Sequence, residues 1–138
     1  MAKTVLIDSG ALVAALRRRD QHHAWARSSF EALTTPCLTC EAVLSESFFL
    51  LERAKEGKDR LCALLERGIV VAGFEFAVHH AETLRLMRRY NDTPMSFADA
   101  CLVRMAELHE TATVFTTDTD FRTYRKNGRQ AIPLLTPW

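Results

Sequence analysis

Short apolar segments with many β-branched residues alternate along this chain with longer segments of helical periodicity. Strands this short and apolar are typical of a sheet that is buried on both faces. The predicted strands are residues 3–7, 37–39, 69–71, 113–116 and 132–135. The alternation with helices predicts an α/β fold, a three-layer α/β/α sandwich around a mostly parallel five-stranded sheet.

Helices are expected between these strands and after the fourth one. They cover residues 8–16, 22–33, 40–55, 58–67, a segment ending near Tyr90, a segment starting at Ser96, and 118–126. The helix ending near Tyr90 should bury Ala77, Ala81 and Leu84, and the helix after Ser96 should bury Ala98, Leu102, Met105 and Ala106. Ligands of such folds bind at the carboxyl ends of the strands.

Length and composition favour one domain, residues 1–138. Hydrophobic residues make up 48% of the chain and charged residues 25%, as in ordinary globular domains. No apolar run approaches the roughly 20 residues that a membrane span requires, and the amino terminus does not resemble a secretory signal. We therefore expect a cytoplasmic protein without membrane association. A net charge of +1 argues against a duplex-wrapping or polybasic membrane-binding protein.

The chain contains four cysteines, two of them in the pattern Cys37-x-x-Cys40. A zinc site needs further ligands at matching spacing, and the sequence has no second such pair. Buried free thiols are the expectation here, and zinc is not expected.

Two acidic residues, Asp8 and Asp118, directly follow predicted strands. If both strands are central, both carboxylates lie at the same edge of the sheet. Each also precedes a helix, so helix capping alone would account for either one. Asp99 is ambiguous in the same way, because it stands three residues after Ser96 in a near capping box.

Glu46 is harder to explain structurally, because the positions three and four residues away are Ala42, Val43, Phe49 and Leu50. A carboxylate on an inward helical stripe must be protonated, paired or bound to a cation. A buried salt bridge with an arginine remained an alternative. Glu41 is a weaker rival, since a helix dipole explains an acid in the first turn.

Several carboxylates at one sheet edge repel one another unless a cation lies among them. Mg²⁺ takes oxygen ligands and retains waters for phosphate substrates, and metal ions assist phosphodiester hydrolysis by activating water and stabilising the leaving oxygen. No P-loop, G-x-G-x-x-G or Ser-His-Asp arrangement competes. A haloacid-dehalogenase-type phosphatase would need a second Asp where this chain has Gly10.

The order of these acidic segments resembles the PIN-domain family, and within it the VapC-type toxin ribonucleases. The resemblance covers essentially the whole chain and rests on Val5-Leu6-Ile7-Asp8-Ser9, Thr39-x-x-x-Val43-Leu44-x-Glu46, Ser96-Phe97-Ala98-Asp99-Ala100 and Thr116-Thr117-Asp118-Thr119-Asp120-Phe121. It implies a Mg²⁺- or Mn²⁺-dependent endoribonuclease, a homodimer and inhibition by a small antitoxin protein.

Carried over by motif, the resemblance implies that the catalytic residues are Asp8, Glu46, Asp99 and Asp118, with Asp8, Asp99 and Asp118 as metal ligands. Asp120 is the rival for the fourth acid, and Ser9 and Thr116 are auxiliary candidates. A non-catalytic PIN-fold module that binds nucleic acid or another protein is the alternative function.

Basic residues occur in clusters that are candidates for contact with RNA. They are Arg85, Arg88 and Arg89, and Arg122 and Arg125. Arg17, Arg18 and Arg19 form a further, contiguous group. For each group, the structural alternative is a solvated helix face or a partner of a helix C-terminus.

Overall fold

The computed structural model describes residues 3–54 and 56–138 and confirms the α/β fold. Five parallel strands form one sheet in the order β3-β2-β1-β4-β7. The strands are β1 (Thr4–Ile7), β2 (Cys37–Thr39), β3 (Val70–Ala72), β4 (Ala112–Phe115) and β7 (Leu134–Leu135). A separate antiparallel pair consists of β5 (Arg125–Lys126) and β6 (Gln130–Ala131).

In the described residues, six α-helices accompany the sheet. They are α1 (Ser9–Leu16), α2 (His23–Glu31), α3 (Glu41–Leu50), α4 (Gly57–Glu66), α5 (Phe76–Arg89) and α6 (Phe97–Leu108), and a 3-10 turn spans Thr119–Arg122. Among the helices of the described residues, none is both long and apolar enough to cross a membrane.

The side chains of the strands alternate between two hydrophobic clusters, one on each face of the sheet. Leu6 and Val114 pack with α5 and α6, whereas Val5, Ile7 and Phe115 pack with α1, α2 and α4. Because a strand directs successive side chains to opposite faces, strands that are apolar throughout contribute side chains to both clusters.

The chain reverses its direction across the sheet between β1 and β4. It runs outward from β1 through β2 to β3, and then crosses to β4 and β7 on the other side of β1. The crevice beside the carboxyl ends of β1 and β4 is therefore the expected ligand position in this topology.

Two predictions of helical extent were wrong. The helix α3 ends at Leu50 rather than near residue 55; residues 51–54 form turns that bring Leu51 into the core beside Leu61, and Lys55 lies outside the described residues. Instead of the helix predicted for residues 118–126, a 3-10 turn covers Thr119–Arg122 and β5 covers Arg125–Lys126. The chain then enters the β5–β6 hairpin, whose turn contains Asn127 and Gly128, both with positive φ.

The inner face of α5 also differs from the prediction. Thr83 and Leu86 are buried, whereas Ala77, Ala81 and Leu84 are exposed. His79 has non-helical backbone angles, and its carbonyl accepts a hydrogen bond from the Thr83 hydroxyl. This kink disrupts the regular period from which the predicted face was derived. In α6, the predicted residues Ala98, Leu102, Met105 and Ala106 are all buried.

Candidate metal centre

Asp8 lies at the carboxyl end of β1, buried and held by two hydrogen bonds. Its Oδ1 accepts from the Ser9 amide at 2.8 Å, and its Oδ2 accepts from the Thr116 hydroxyl at 2.7 Å. The Thr116 hydroxyl oxygen in turn accepts from the Asp118 amide at 2.9 Å. A fully buried threonine therefore fixes Asp8 and the backbone of Asp118 relative to each other.

Asp99 lies in the first turn of α6 and reaches the same place from another element. The Ser96 hydroxyl accepts from the Asp99 amide at 3.0 Å, and Asp99 Oδ2 accepts from the Ser96 amide at 3.1 Å, which completes a capping box. The buried Tyr124 hydroxyl also donates to Oδ2 at 3.1 Å. Both of these hydrogen bonds to the Asp99 carboxylate use Oδ2. Neither uses Oδ1.

Asp118 follows β4 and completes the group. Asp8, Asp99 and Asp118 each offer a carboxylate oxygen, and these oxygens lie within 4.8 Å of one another. Together with Glu46 they line a concave pocket of about 270 Å³, which we call the acidic pocket; its other lining residues are Ser9, Gly10, Pro94, Ser96 and Thr117. A Cβ at Gly10 would collide with the Thr117 hydroxyl, so a larger residue here would require the Thr117 side chain to rotate.

Burial and mutual repulsion make the ionised state of these carboxyl groups costly. Burial, together with the charges of Asp99 and Asp118, raises the pKa of Asp8 to about 7, although the Thr116 hydrogen bond opposes the shift. Burial also raises the pKa of Asp99, and the charge of Asp118 contributes to the shift. A cation among these groups would favour the ionised forms.

Glu46 lies at the acidic pocket, but the reason given for it from the sequence was wrong. Phe49 and Leu50 are exposed, at 73% and 42%, so Glu46 does not interrupt a buried stripe. Glu46 itself is an exposed residue. Partial burial of its carboxyl group and the nearby charge of Asp99 raise its pKa. In the described part of the chain, no arginine forms an ion pair with Glu46, which removes the buried salt-bridge alternative.

Asp120 does not line the acidic pocket. Its amide donates to Asp118 Oδ1 at 2.9 Å, so Asp118 caps the 3-10 turn while its carboxylate also faces the pocket. Asp8 caps α1 through its bond with the Ser9 amide. Asp8 and Asp118 therefore both cap a helix and belong to the carboxylate cluster, although these two roles were alternatives in the sequence analysis.

The arginines named as RNA contacts lie outside the acidic pocket. Arg89 donates to the Gly128 carbonyl at 2.7 Å, and the Arg122 guanidinium stacks on Trp138 at 3.8 Å from the ring centroid. Arg125 donates to two carbonyl oxygens of its own segment, while Arg85 and Arg88 are exposed on α5. Their contact with RNA stays a prediction.

The chemistry of the donors suits a hard divalent cation. Three carboxylates offer oxygen ligands to one point, and among the described residues no lysine or arginine forms an ion pair with any of them. Mg²⁺ and Mn²⁺ prefer such oxygen ligands. Cys37, Cys40 and Cys101 are buried free thiols and Cys62 is an exposed one.

Tyr124 is the contact that sequence reasoning missed. The residue was assigned to a helix, and a single tyrosine in a C-terminal segment gives no periodic signal. In the structure it is fully buried between Tyr90 and Phe121, with its hydroxyl on Asp99. Burial and the Asp99 charge raise the pKa of Tyr124, so the hydroxyl remains a hydrogen-bond donor at neutral pH.

Comparison with known proteins identifies the family. The sequence pattern of the PIN domain matches residues 5–127. The chain belongs to the PIN domain family. Its matched region includes all four acidic residues of the pocket.

Among solved structures, this PIN domain is similar to VapC20 of Mycobacterium tuberculosis, described as a toxin that cleaves the sarcin–ricin loop. The two share 19% sequence identity and a TM-score of 0.76, over 87% of this chain and 94% of that one. At this identity the likeness concerns the fold. No curated protein matches the sequence significantly.

Proposed function

We propose that this PIN domain is a divalent-metal-dependent endoribonuclease with Asp8, Glu46, Asp99 and Asp118 as its catalytic residues. The observation that carries the proposal is the convergence of three carboxylates within 4.8 Å at the switch point of the sheet. Asp8, Asp99 and Asp118 would hold Mg²⁺ or Mn²⁺. The ion would supply Lewis-acid activation of the scissile phosphodiester and a lowered pKa for an attacking water.

The residues of the chain have separate tasks in this scheme. Ser9, Thr116, Ser96 and Tyr124 orient carboxylate oxygens by hydrogen bonds, which keeps the ligand set in place before any ion arrives. Such preorganisation lowers the cost of assembling a charged site.

Glu46 has a different task, because it lies on the exposed side of the acidic pocket and outside the tight group of three. Its raised pKa suits a carboxyl group that accepts or returns a proton during the reaction. We assign it proton transfer at the water or at the leaving oxygen.

We further propose that the chain is the toxin of a toxin–antitoxin pair, by analogy with VapC20 and with the family resemblance of the whole sequence. This proposal implies an RNA substrate, a small antitoxin protein as inhibitor, a homodimer and a cytoplasmic location. The match over residues 5–127 is consistent with a single domain of 138 residues. A non-catalytic PIN-fold module remains the competing function, and it requires neither metal binding nor ionised carboxylates.

Asp99→Asn separates these two functions. Asn is isosteric and keeps capping ability, so the variant should retain near-native thermal stability. It removes one anionic ligand, and we expect metal-dependent RNA cleavage to fall by roughly two orders of magnitude or more, as when one electrostatic catalytic group is lost. Cleavage of labelled RNA with Mg²⁺ or Mn²⁺, Mn²⁺ binding by titration calorimetry, and thermal melting are the measurements.

Asp92→Asn is the matched control, since Asp92 is exposed in the loop before α6 and lies outside the acidic pocket. It should cleave RNA as the unmodified protein does. A folded Asp99→Asn variant with full cleavage would contradict the nuclease proposal. If even the unmodified protein neither bound Mn²⁺ nor cleaved RNA, the non-catalytic module would be favoured.

A further inference from the structure

A second concave pocket, of about 600 Å³, lies where the loop after α1 meets the start of α4. Five of its lining residues are arginines, and we call it the arginine pocket. Its lining is Leu16, Arg17, Arg18, Arg19, Arg53, Ala54, Glu56, Gly57 and Arg60. In a chain with 18 basic residues and a net charge of +1, five arginines around one cavity are a strong local concentration of positive charge.

The positive charge of this pocket is largely uncompensated. Arg60 pairs with Glu56 at 3.3 Å, and Glu56 is the single carboxylate among the lining residues. Across residues 3–54 and 56–138, no carboxylate lies within ion-pair distance of Arg17, Arg18, Arg19 or Arg53. Guanidinium groups collected without internal partners match a ligand with several anionic oxygens, because each can donate two parallel hydrogen bonds.

Two helices connect the arginine pocket with the acidic pocket. Ser9 lines the acidic pocket and Leu16 lines the arginine pocket, and the helix α1 between them is about 10 Å long at 1.5 Å per residue. On α3, Glu46 lines the acidic pocket, and Arg53 follows the end of the same helix. The distance suits a ligand that extends over a few nucleotides.

Phe49 lies on α3 between these two positions. It is 73% exposed, the largest value among the exposed large hydrophobic side chains of the described residues. Phe49 is three residues after Glu46, a spacing that places both on one helical face. Phe49 is thus an exposed aromatic ring on the helix that leads from Glu46 towards Arg53, and proteins combine aromatic rings with basic side chains to bind single-stranded nucleic acid through stacking and phosphate contacts.

We propose that the arginine pocket binds backbone phosphates of the RNA whose scissile bond lies in the acidic pocket, with a base stacked on Phe49 between them. This inference rests on the proposed nuclease function and adds a phosphate-binding site remote from the cut. A single RNA strand accounts for both features, because its phosphates match the arginines and its bases can stack on the aromatic ring.

Binding of a fluorescent single-stranded RNA to the full chain, measured by anisotropy in EDTA at several salt concentrations, tests the proposal. Arg53→Gln should weaken binding roughly five-fold or more, as expected for lost charge-assisted hydrogen bonds. It should also reduce the slope of log affinity against log salt by about 0.7, and Arg17→Gln/Arg53→Gln by about twice that amount. Arg67→Gln is the matched control, an exposed arginine just beyond α4 and outside the pocket, and it should change neither quantity.

Phe49→Ala distinguishes stacking from charge. It should weaken RNA binding by roughly ten-fold while leaving the salt slope unchanged, because no charge is removed. Phe76→Ala, which removes an exposed phenyl group from α5, is the control and should have no effect. Loss of affinity with Phe49→Ala and with the arginine variants supports the proposal.

Three results would overturn the inference. The first is equal RNA affinity for Arg53→Gln and Arg67→Gln, and the second is absence of RNA binding by the unmodified protein. The third is displacement of RNA by a poly-glutamate peptide of equal charge at equal concentration, which would assign the pocket to acidic protein segments. Since the assay contains no cleavage step, its outcome is independent of whether Asp99→Asn abolishes cleavage.

Discussion

The two pockets at the ends of α1 are built in opposite ways. In the acidic pocket, the carboxylates of Asp8, Asp99 and Asp118 all accept hydrogen bonds from the protein, and two of the three residues are buried. In the arginine pocket, the side chains are exposed or half-buried, and the pair of Arg60 with Glu56 is the single ion pair among the lining residues.

This difference matches the ligand proposed for each pocket. A small divalent ion requires oxygen ligands at set positions, so the fold must fix the carboxylates before the ion binds. A flexible polyanion adapts its own shape, so arginines on long, mobile side chains are sufficient. The acidic pocket, whose carboxylates have hydrogen-bonding partners, therefore suits a ligand with a defined coordination geometry. The arginine pocket suits a ligand with several negative charges.

The largest expected effect concerns the two acids after β4. We expect Asp118→Asn to reduce metal-dependent cleavage by roughly two orders of magnitude, because it removes a ligand charge from the cluster. Asp120→Asn should retain cleavage within about three-fold, since Asp120 lies outside the acidic pocket. Rates measured under single-turnover conditions decide between the two residues, and the reverse order of effects would make Asp120 rather than Asp118 the fourth catalytic acid.

Thr116→Val tests whether fixed positions matter as much as charge. It removes the donor to Asp8 Oδ2 and the acceptor of the Asp118 amide while conserving shape. Loss of such an orienting group typically costs 10- to 100-fold in metal affinity or activity, and we expect about that reduction here.

Two further variants isolate the role of this hydroxyl. Thr116→Ser, which keeps the hydroxyl, should restore most of the activity. Thr113→Val in β4, a half-buried position outside the acidic pocket, should leave the activity unchanged. Equal activity of Thr116→Val and Thr113→Val would show that the hydroxyl does not orient the site.

The repulsion in the acidic pocket should appear as a pH dependence of stability. The pKa of Asp8 is about 7 in the folded protein and roughly 3.9 in an unfolded chain, so folding favours its protonated form. This contribution to stability is complete below about pH 4 and is lost as the pH rises through 7. In EDTA, we expect the free energy of unfolding to fall by on the order of 2 kcal/mol between pH 5 and pH 7.

Urea unfolding at several pH values measures this effect. Mg²⁺ should restore stability at pH 8, because a bound cation favours the ionised carboxylates. Asp8→Asn should remove most of the pH dependence, whereas Asp92→Asn should preserve it. A free energy of unfolding in EDTA that rises between pH 5 and pH 7 would contradict the raised pKa of Asp8.

The smallest expected effect comes from the one acid of the arginine pocket. Glu56→Gln breaks an exposed i,i+4 pair, worth about 0.3–0.5 kcal/mol, and removes a negative charge from the cavity. RNA affinity should rise by about two-fold at low salt. Glu31→Gln, which breaks the comparable Arg27–Glu31 pair on α2, should alter stability equally without affecting RNA binding. An equal gain of RNA affinity in both variants would argue against a local effect of Glu56.

The sheet and the acidic pocket were largely predictable from sequence, because the signals were local. Asp8 and Asp118 directly follow buried strands, and Asp99 belongs to a capping box, so position in the chain implied position in space. Glu46 was placed correctly from a false premise. The kink at His79 and the hairpin turn at Asn127 escaped prediction, because they depend on tertiary packing and on turn chemistry that periodicity does not register.

The arginine pocket was not predictable as a unit. The sequence shows a contiguous basic group of Arg17, Arg18 and Arg19, but Arg53 and Arg60 are more than thirty residues away. Their approach depends on how the turns after α3 direct the start of α4. No spacing in the sequence encodes that approach.

The bond between Thr116 and Asp8 joins residues that are 108 positions apart in the chain. A ribosome releases Asp8 well before Thr116, Asp118 and Tyr124. Until β4 inserts beside β1, a nascent chain has neither the third ligand nor the hydroxyl groups that orient the other two. The complete ligand set therefore forms only when β1, β4 and α6 have assembled, and the order of synthesis delays that assembly.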